Sequence, residues 1–191
     1  MAVIAPEVKY YEYANIDADT NTPKDDSIQV CTKWDAGIVD AGTDSKDKVL
    51  FIWNANGEAS DDHSDMQNVK LGVVSNETGH QGNKVDKVYE KAWCHAVLNA
   101  HDHDTEYVAL GRDQTKYAAD GTDVENTLAL TAVGLDESDT DQQYRIKGTK
   151  GTSTLDNGQT NYAKVTCWIS LDASAAAGQH KFRLRTTYSY T

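Results

Sequence analysis

Proline is almost missing from this 191-residue chain: only Pro6 and Pro23 occur. That excludes a polyproline linker and leaves the turns to glycine, asparagine and aspartate. Cysteine is scarce as well, with Cys31, Cys94 and Cys167 alone. Three thiols cannot all pair with one another, none sits in a CxxC, and all three fall in strand-like stretches. Buried free thiols are therefore expected, not a disulfide framework or a zinc knuckle. Basic residues number 18 against 30 acidic ones, a formal charge of −12. Neutralising phosphate takes lysine and arginine, so neither nucleic acid nor an anionic membrane is expected as a partner. No apolar run reaches the roughly 18 residues of a membrane-spanning helix. Residues 1–6 are too short, and lack the cationic flank, for a secretory signal, so the expectation is a protein made and kept in the cytosol.

What is present points to β-structure. Hydrophobic residues make up 39% of the chain, enough for a core of one ordinary domain or two small ones. The acid is mostly aspartate, 22 Asp to 8 Glu, and aspartate favours turns and caps where glutamate favours helix. Ten Tyr and four Trp suit a pleated surface.

Read along the chain, residues 1–28 start with an aromatic cluster, Tyr10, Tyr11 and Tyr13, followed by a polar tract over 15–27. The segment is either an arm that docks on another subunit or the first strand of the sheet, with a polar linker behind it. Residues 29–191 are expected to form one sandwich domain, with 81–145 as an elaboration of it. Residues 29–34 read as a short strand, and Gly37 and Gly42 mark turns. Residues 48–54 are apolar on both faces, with Val49, Phe51 and Trp53 opposite Leu50 and Ile52, which predicts a central strand covered on both sides. Val69, Leu71 and Val73 alternate in the next strand. Residues 87–99 fit a strand better than a short helix. Residues 107–110 and 126–133 add strands, and 136–141 form an acidic loop. Residues 161–171 put Ala163, Val165, Cys167, Ile169 and Leu171 on a dry face, with Tyr162, Lys164, Thr166, Trp168 and Ser170 on a wet one. Residues 181–190 alternate Phe182, Leu184, Thr186, Tyr188 and Tyr190 against Lys181, Arg183, Arg185, Thr187 and Ser189. Two such strands joined by 172–178 belong to one antiparallel sheet. The fold class is all-β: an antiparallel β-sandwich with long polar loops.

Candidate chemistry is sparse. His101, Asp102, His103 and Asp104 could contribute zinc ligands, as could His63 and His95, but a polar loop is the plainer reading. Asp17, Asp19 and Asn21 open like a calcium loop, yet Thr22 stands where its glycine and Ile28 where its glutamate belong. Asp136, Asp139 and Asp141 allow the same pair of readings. Gly-x-Ser-x-Gly and the Walker loop are absent, and close carboxylate pairs follow from composition alone. No catalytic residue, metal or cofactor is expected. Lys181, Arg183 and Arg185 line one face of the last strand as a positive stripe on an acidic chain. Either they are a solvated face with cross-strand partners or they meet an acidic surface of a neighbouring copy.

Residues 34–45 (WDAGIVDAGTDS), 48–57 (KVLFIWNANG) and 64–71 (SDMQNVKL) resemble the opening of immunoglobulin-like sandwich domains. Residues 177–191 (AGQHKFRLRTTYSYT) are similar to the last strand of structural proteins encoded in tailed-phage and prophage clusters of gut bacteria. The resemblance implies a virion component: a capsid decoration protein or a tail or baseplate part. Its partners would be other virion proteins, such as the major capsid or tail proteins, and copies of itself. It transfers no catalytic residue. Tyr10, Tyr11 and Tyr13, with Lys181, Arg183 and Arg185, are the candidate assembly contacts. A carbohydrate- or host-surface-binding module of a phage tail or baseplate is the alternative, because tyrosine and tryptophan with aspartate and asparagine suit sugar stacking.

Overall fold

A computed structural model describes residues 4–54, 62–75, 87–99, 106–117, 123–149 and 154–191. The strand apolar on both faces is β3 (Lys48–Asn54), and it lies inside a seven-stranded sheet. Chain order gives β1 (Val8–Tyr13), β2 (Ile28–Val30), β3, β4 (Met66–Ser75), the one-turn helix α1 (Lys87–Glu90) and β5 (Cys94–Leu98). Then come β6 (Val108–Tyr117), β7 (Asp123–Asn126), β8 (Leu128–Ala129), β9 (Arg145–Ile146), β10 (Tyr162–Ile169) and β11 (Phe182–Ser189). The larger sheet runs β2-β1-β3-β10-β5-β6-β7; the smaller runs β11-β4-β8, with β9 also paired to β4. Each of these pairings is antiparallel. The two sheets pack as an all-β sandwich.

The core between the sheets takes one parity from each strand. Leu50 and Ile52 of β3, Ala163, Val165, Cys167 and Ile169 of β10, and Cys94 and Ala96 of β5 meet Val69, Leu71 and Val73 of β4. Met66 is fully buried too, although it is out of phase with Val69. Asn68 lies between them at a φ of 52°, and this left-handed residue shifts the phase of the strand. Tyr10 ties the layers together: its hydroxyl is 2.6 Å from the Thr186 hydroxyl of β11.

The larger sheet is buried on its other face as well, which the alternation of β10 does not suggest. Tyr162 and Trp168 are each 2% exposed and Thr166 is fully buried, so the face expected to be wet is dry. The reason lies in the neighbours. Phe51 and Trp53 of β3 and Tyr11 of β1 form a second cluster with Tyr162, and Tyr13, Ile28, Val49, Val133 and Leu155 pack around it. Trp53 stacks on Tyr162 at 4.5 Å and meets Tyr11 edge-on at 6.1 Å. Each large ring brings apolar area that gains from burial, and edge-to-face or stacked contact with another ring adds to it.

Three further expectations need correction. Residues 87–99 are not one strand: a helical turn buries Val88 and Tyr89, Ala92 turns the chain at a φ of 51°, and β5 begins two residues later. Gly111 of β6 makes room for that turn, since a Cβ there would lie 2.5 Å from the Tyr89 carbonyl oxygen. The strands β10 and β11 do not share a sheet; 170–181 cross from the middle of one layer to the edge of the other. In the segment expected as a strand over 29–34, pairing stops at Val30.

Asn54 closes β3 with a polar knot at zero exposure. Its Oδ1 accepts from the Glu7 N–H, and its Nδ2 donates to the carbonyls of Ser64 at 2.9 Å and Ile146 at 3.4 Å. Four separate segments are thereby pinned at one end of the sandwich.

Trp53→Ala is expected to cost about 3–5 kcal/mol, as for other buried aromatics. The Trp53 indole N–H has no hydrogen-bond acceptor. Trp53→Phe therefore loses no hydrogen bond and should cost less, about 1–2 kcal/mol. Urea unfolding of the two variants beside the parent measures both.

Candidate functional site

The polar residues that stand out in the sequence are mostly bound into the fold. Asp17 accepts hydrogen bonds from the backbone N–H groups of Thr20 and Asp19, which hold its carboxyl below the usual range, and Lys24 lies 3.7 Å away. Asn21, at a φ of 56°, completes this hairpin tip. The triad Asp17, Asp19 and Asn21 is thus a turn built on side-chain-to-backbone bonds. Asp136 does the same for Ser138, through the hydroxyl first and then the N–H, and Asp139 for the N–H of Asp141. Among the described residues no group of three His, Cys, Asp or Glu comes together where a metal ion could sit. His101, Asp102, His103 and Asp104 lie outside the described residues. His63 is held by the Ala5 carbonyl at 2.8 Å.

His95 belongs to an aromatic group on the outer face of the larger sheet. Its ring stacks on Tyr107 at 4.4 Å and meets Trp168 edge-on at 5.5 Å. Burial lowers the pKa of this imidazole, against an opposing pull from Asp44. Tyr107 covers the stack and is itself half exposed.

Cys94 and Cys167 are both buried on neighbouring strands, and Cys31 is only half buried, after the end of β2. Burial, helped by Asp47, pushes the Cys167 thiol up to about 12, and burial pushes Cys94 well up too. Neither is a nucleophile at neutral pH.

The six candidate assembly contacts divide. Tyr11 is 7% exposed inside the second cluster, Tyr13 packs edge-on to Phe51 at 5.0 Å, and Tyr10 lies between the layers. As long as β1 stays in its sheet, these side chains serve the chain's own core. Of the two readings of 1–28, the structure has the first strand. Lys181, just before β11, and Arg183 on it are exposed, while Arg185 is in an ion pair with Glu125 of β7 at 2.7 Å.

A different surface is concave. A groove of about 460 Å³ opens where the ends of β5 and β6 face β8 and the loop after it. Val97, Leu98, Val108, Leu128 and Ala129 line it with apolar surface, and Glu106, Glu137, Gln143, Thr127 and Tyr144 bring polar groups. Asn99 donates to the Glu137 carboxylate at 3.2 Å. Tyr144 is 44% exposed, at a φ of 59°. That backbone region costs a residue with a bulky side chain about 1–2 kcal/mol. It is held there at both ends: the Tyr144 N–H donates to the Thr131 hydroxyl at 2.9 Å, and its carbonyl accepts from Val69 N–H at 3.0 Å. Sequence reasoning passed these residues over, because they come from four distant segments, each polar in an ordinary way.

Compared with known proteins, the chain matches no family model, no curated protein and no solved structure.

Deleting residues 1–14 removes β1 from between β2 and β3 and uncovers Phe51 and Trp53. The truncated chain is expected to fail to fold, or to melt roughly 10 °C or more below the parent, since each kcal/mol lost is worth about 2–4 °C at this size. A thermal melt by circular dichroism checks it. The thiols give a pH dependence. Burial raises the Cys167 thiol from its ordinary 9.0 to about 12 in the folded chain. Its contribution to stability is whole below the unfolded value and is lost as pH rises from there toward the folded one. The loss is at most about 1.4 kcal/mol per pH unit for one group. Urea melts at pH 8 and pH 10.5 should show a steeper alkaline fall for the parent than for Cys167→Ala.

Proposed function

We propose that the chain is a non-enzymatic structural protein of a tailed-phage particle, specifically a capsid decoration protein that binds the assembled shell. Its partners are the major capsid protein and copies of itself, and its location is the virion. The observation that carries this reading is β11. This eight-residue strand lies at the edge of the smaller sheet, bears Arg183 exposed with an exposed Lys181 just before it on a chain of net charge −12, and is followed by an exposed Tyr190. A strong net charge keeps free copies apart before assembly. A local stripe of the opposite sign then gives a contact its direction and its rate. An edge strand adds open backbone groups, and tyrosine adds amphipathic area. The resemblance to the last strand of phage structural proteins falls on this same strand.

The genes beside its own supply the first test, with a terminase, portal and major capsid cluster supporting the reading. The direct test is cosedimentation of the purified chain with heads and, separately, with tails of that particle. Pelleting with heads alone is expected. Lys181→Glu and Arg183→Glu together should weaken that binding about tenfold or more, the equivalent of about 1.4 kcal/mol, while leaving the melting temperature unchanged. Pelleting with tails alone, or with neither, overturns the reading.

A further inference from the structure

The groove beside β8 has the chemistry of a ligand site of a particular kind. Its volume of about 460 Å³ falls within the roughly 300–1,000 Å³ typical of small-molecule sites. No lysine, arginine or histidine is among its described lining residues, whereas Glu106 and Glu137 both line it. The two carboxylates of the described lining favour a neutral ligand over an anionic one. The two carboxylates arise from different elements, the start of β6 and the loop after β8, and no metal-like cluster forms among the described residues. Dispersed acceptors suit an extended polyhydroxy ligand better than one point charge. Gln143 and Thr127 add neutral groups that both donate and accept, as a ligand rich in hydroxyls requires.

Tyr144 supplies the third element. The chain holds this aromatic residue at a φ of 59°, fixed by hydrogen bonds at both its N–H and its carbonyl, and leaves it 44% exposed. An exposed ring on a backbone pinned at both ends, beside acceptors, is a stacking platform that leaves only side-chain torsions to be ordered on binding. We infer that this groove binds a neutral saccharide. The C–H face of a sugar ring lies on Tyr144, and the sugar hydroxyls donate to Glu106 and Glu137 and exchange hydrogen bonds with Gln143 and Thr127. This inference does not rest on the proposed role of β11.

The test puts the full chain on a glycan array that carries neutral, uronic-acid and amino saccharides, with hits titrated calorimetrically as free oligosaccharides. Neutral oligosaccharides are expected to bind and uronic-acid ones to fail. Tyr144→Asn removes the ring and places a residue tolerant of the left-handed region, so it should lower affinity about tenfold without lowering the melting temperature. Glu106→Gln changes an exposed group outside the core and should lower affinity several-fold, which keeps the test decisive even if the first variant misfolds. Binding by no neutral saccharide overturns the inference. So does a preference for amino saccharides, which would mark an amine site, and so does parental affinity in a folded Tyr144→Asn or Glu106→Gln variant.

Discussion

The constraint on which the rest depends is that β3 and β10, at the centre of the larger sheet, carry large rings on one face and the aliphatic core on the other, so that both faces must be buried. Trp53, Phe51 and Trp168 cannot face water on one side while Leu50, Ile52 and Val165 fill the core on the other. At roughly 25 cal/mol per Å² of apolar surface, and 150–250 Å² for each large ring, leaving the outer face uncovered would forfeit several kcal/mol per residue. The smaller sheet covers one face. The other is covered by β1 and its hairpin, by the segments around Val133 and Leu155, and by Tyr107. The N-terminal strand is thus built into the larger sheet and is part of its cover.

Polar bonds then place the cover. Ser45 shows how: its N–H donates to the Ile169 carbonyl at 2.8 Å, while its hydroxyl accepts from the Ile169 N–H at 2.9 Å. The long segment from Cys31 to Asp47 is thereby fastened to the end of β10. At the opposite end of β3, Asn54 does the same for 7, 64 and 146. Such buried groups would be costly if unpaired, so their partners define where each loop can go. The abundance of aspartate follows from the same economy. A sandwich of short strands needs many tight turns, and Asp17, Asp25, Asp35, Asp136 and Asp156 each accept a backbone N–H two residues on.

Much of the architecture was legible in the residue pattern, and the misreadings have physical causes. Period-two alternation located β3, β4, β10 and β11, because one face of each is predominantly apolar over at least five residues. It failed on the outer face of β10, where Tyr162, Lys164, Thr166 and Trp168 look amphipathic residue by residue. What buries them is a neighbouring strand, and pairing is not written in any one segment. It failed on 87–99, where a single helical turn is shorter than the period that would announce it, and where the room it needs comes from Gly111, far along the chain. The joining of β10 to β11 was misjudged because a connection says nothing about which layer receives the next strand. The groove was illegible for a similar reason: Glu106, Thr127, Glu137 and Tyr144 become neighbours only when both layers are assembled.

The basic strand and the groove lie close together. β11 is at one edge of the smaller sheet and β8 on the other side of β4, and across β4 Arg185 reaches Glu125, two residues before Thr127 of the groove. On the proposed reading, many copies held on one particle would multiply a weak single-site affinity of the groove through effective concentration. A single groove of modest size and open form gains most from such display. The strained Tyr144 backbone is consistent with this economy, since rigidity at each site lowers the entropy lost every time one of many copies engages.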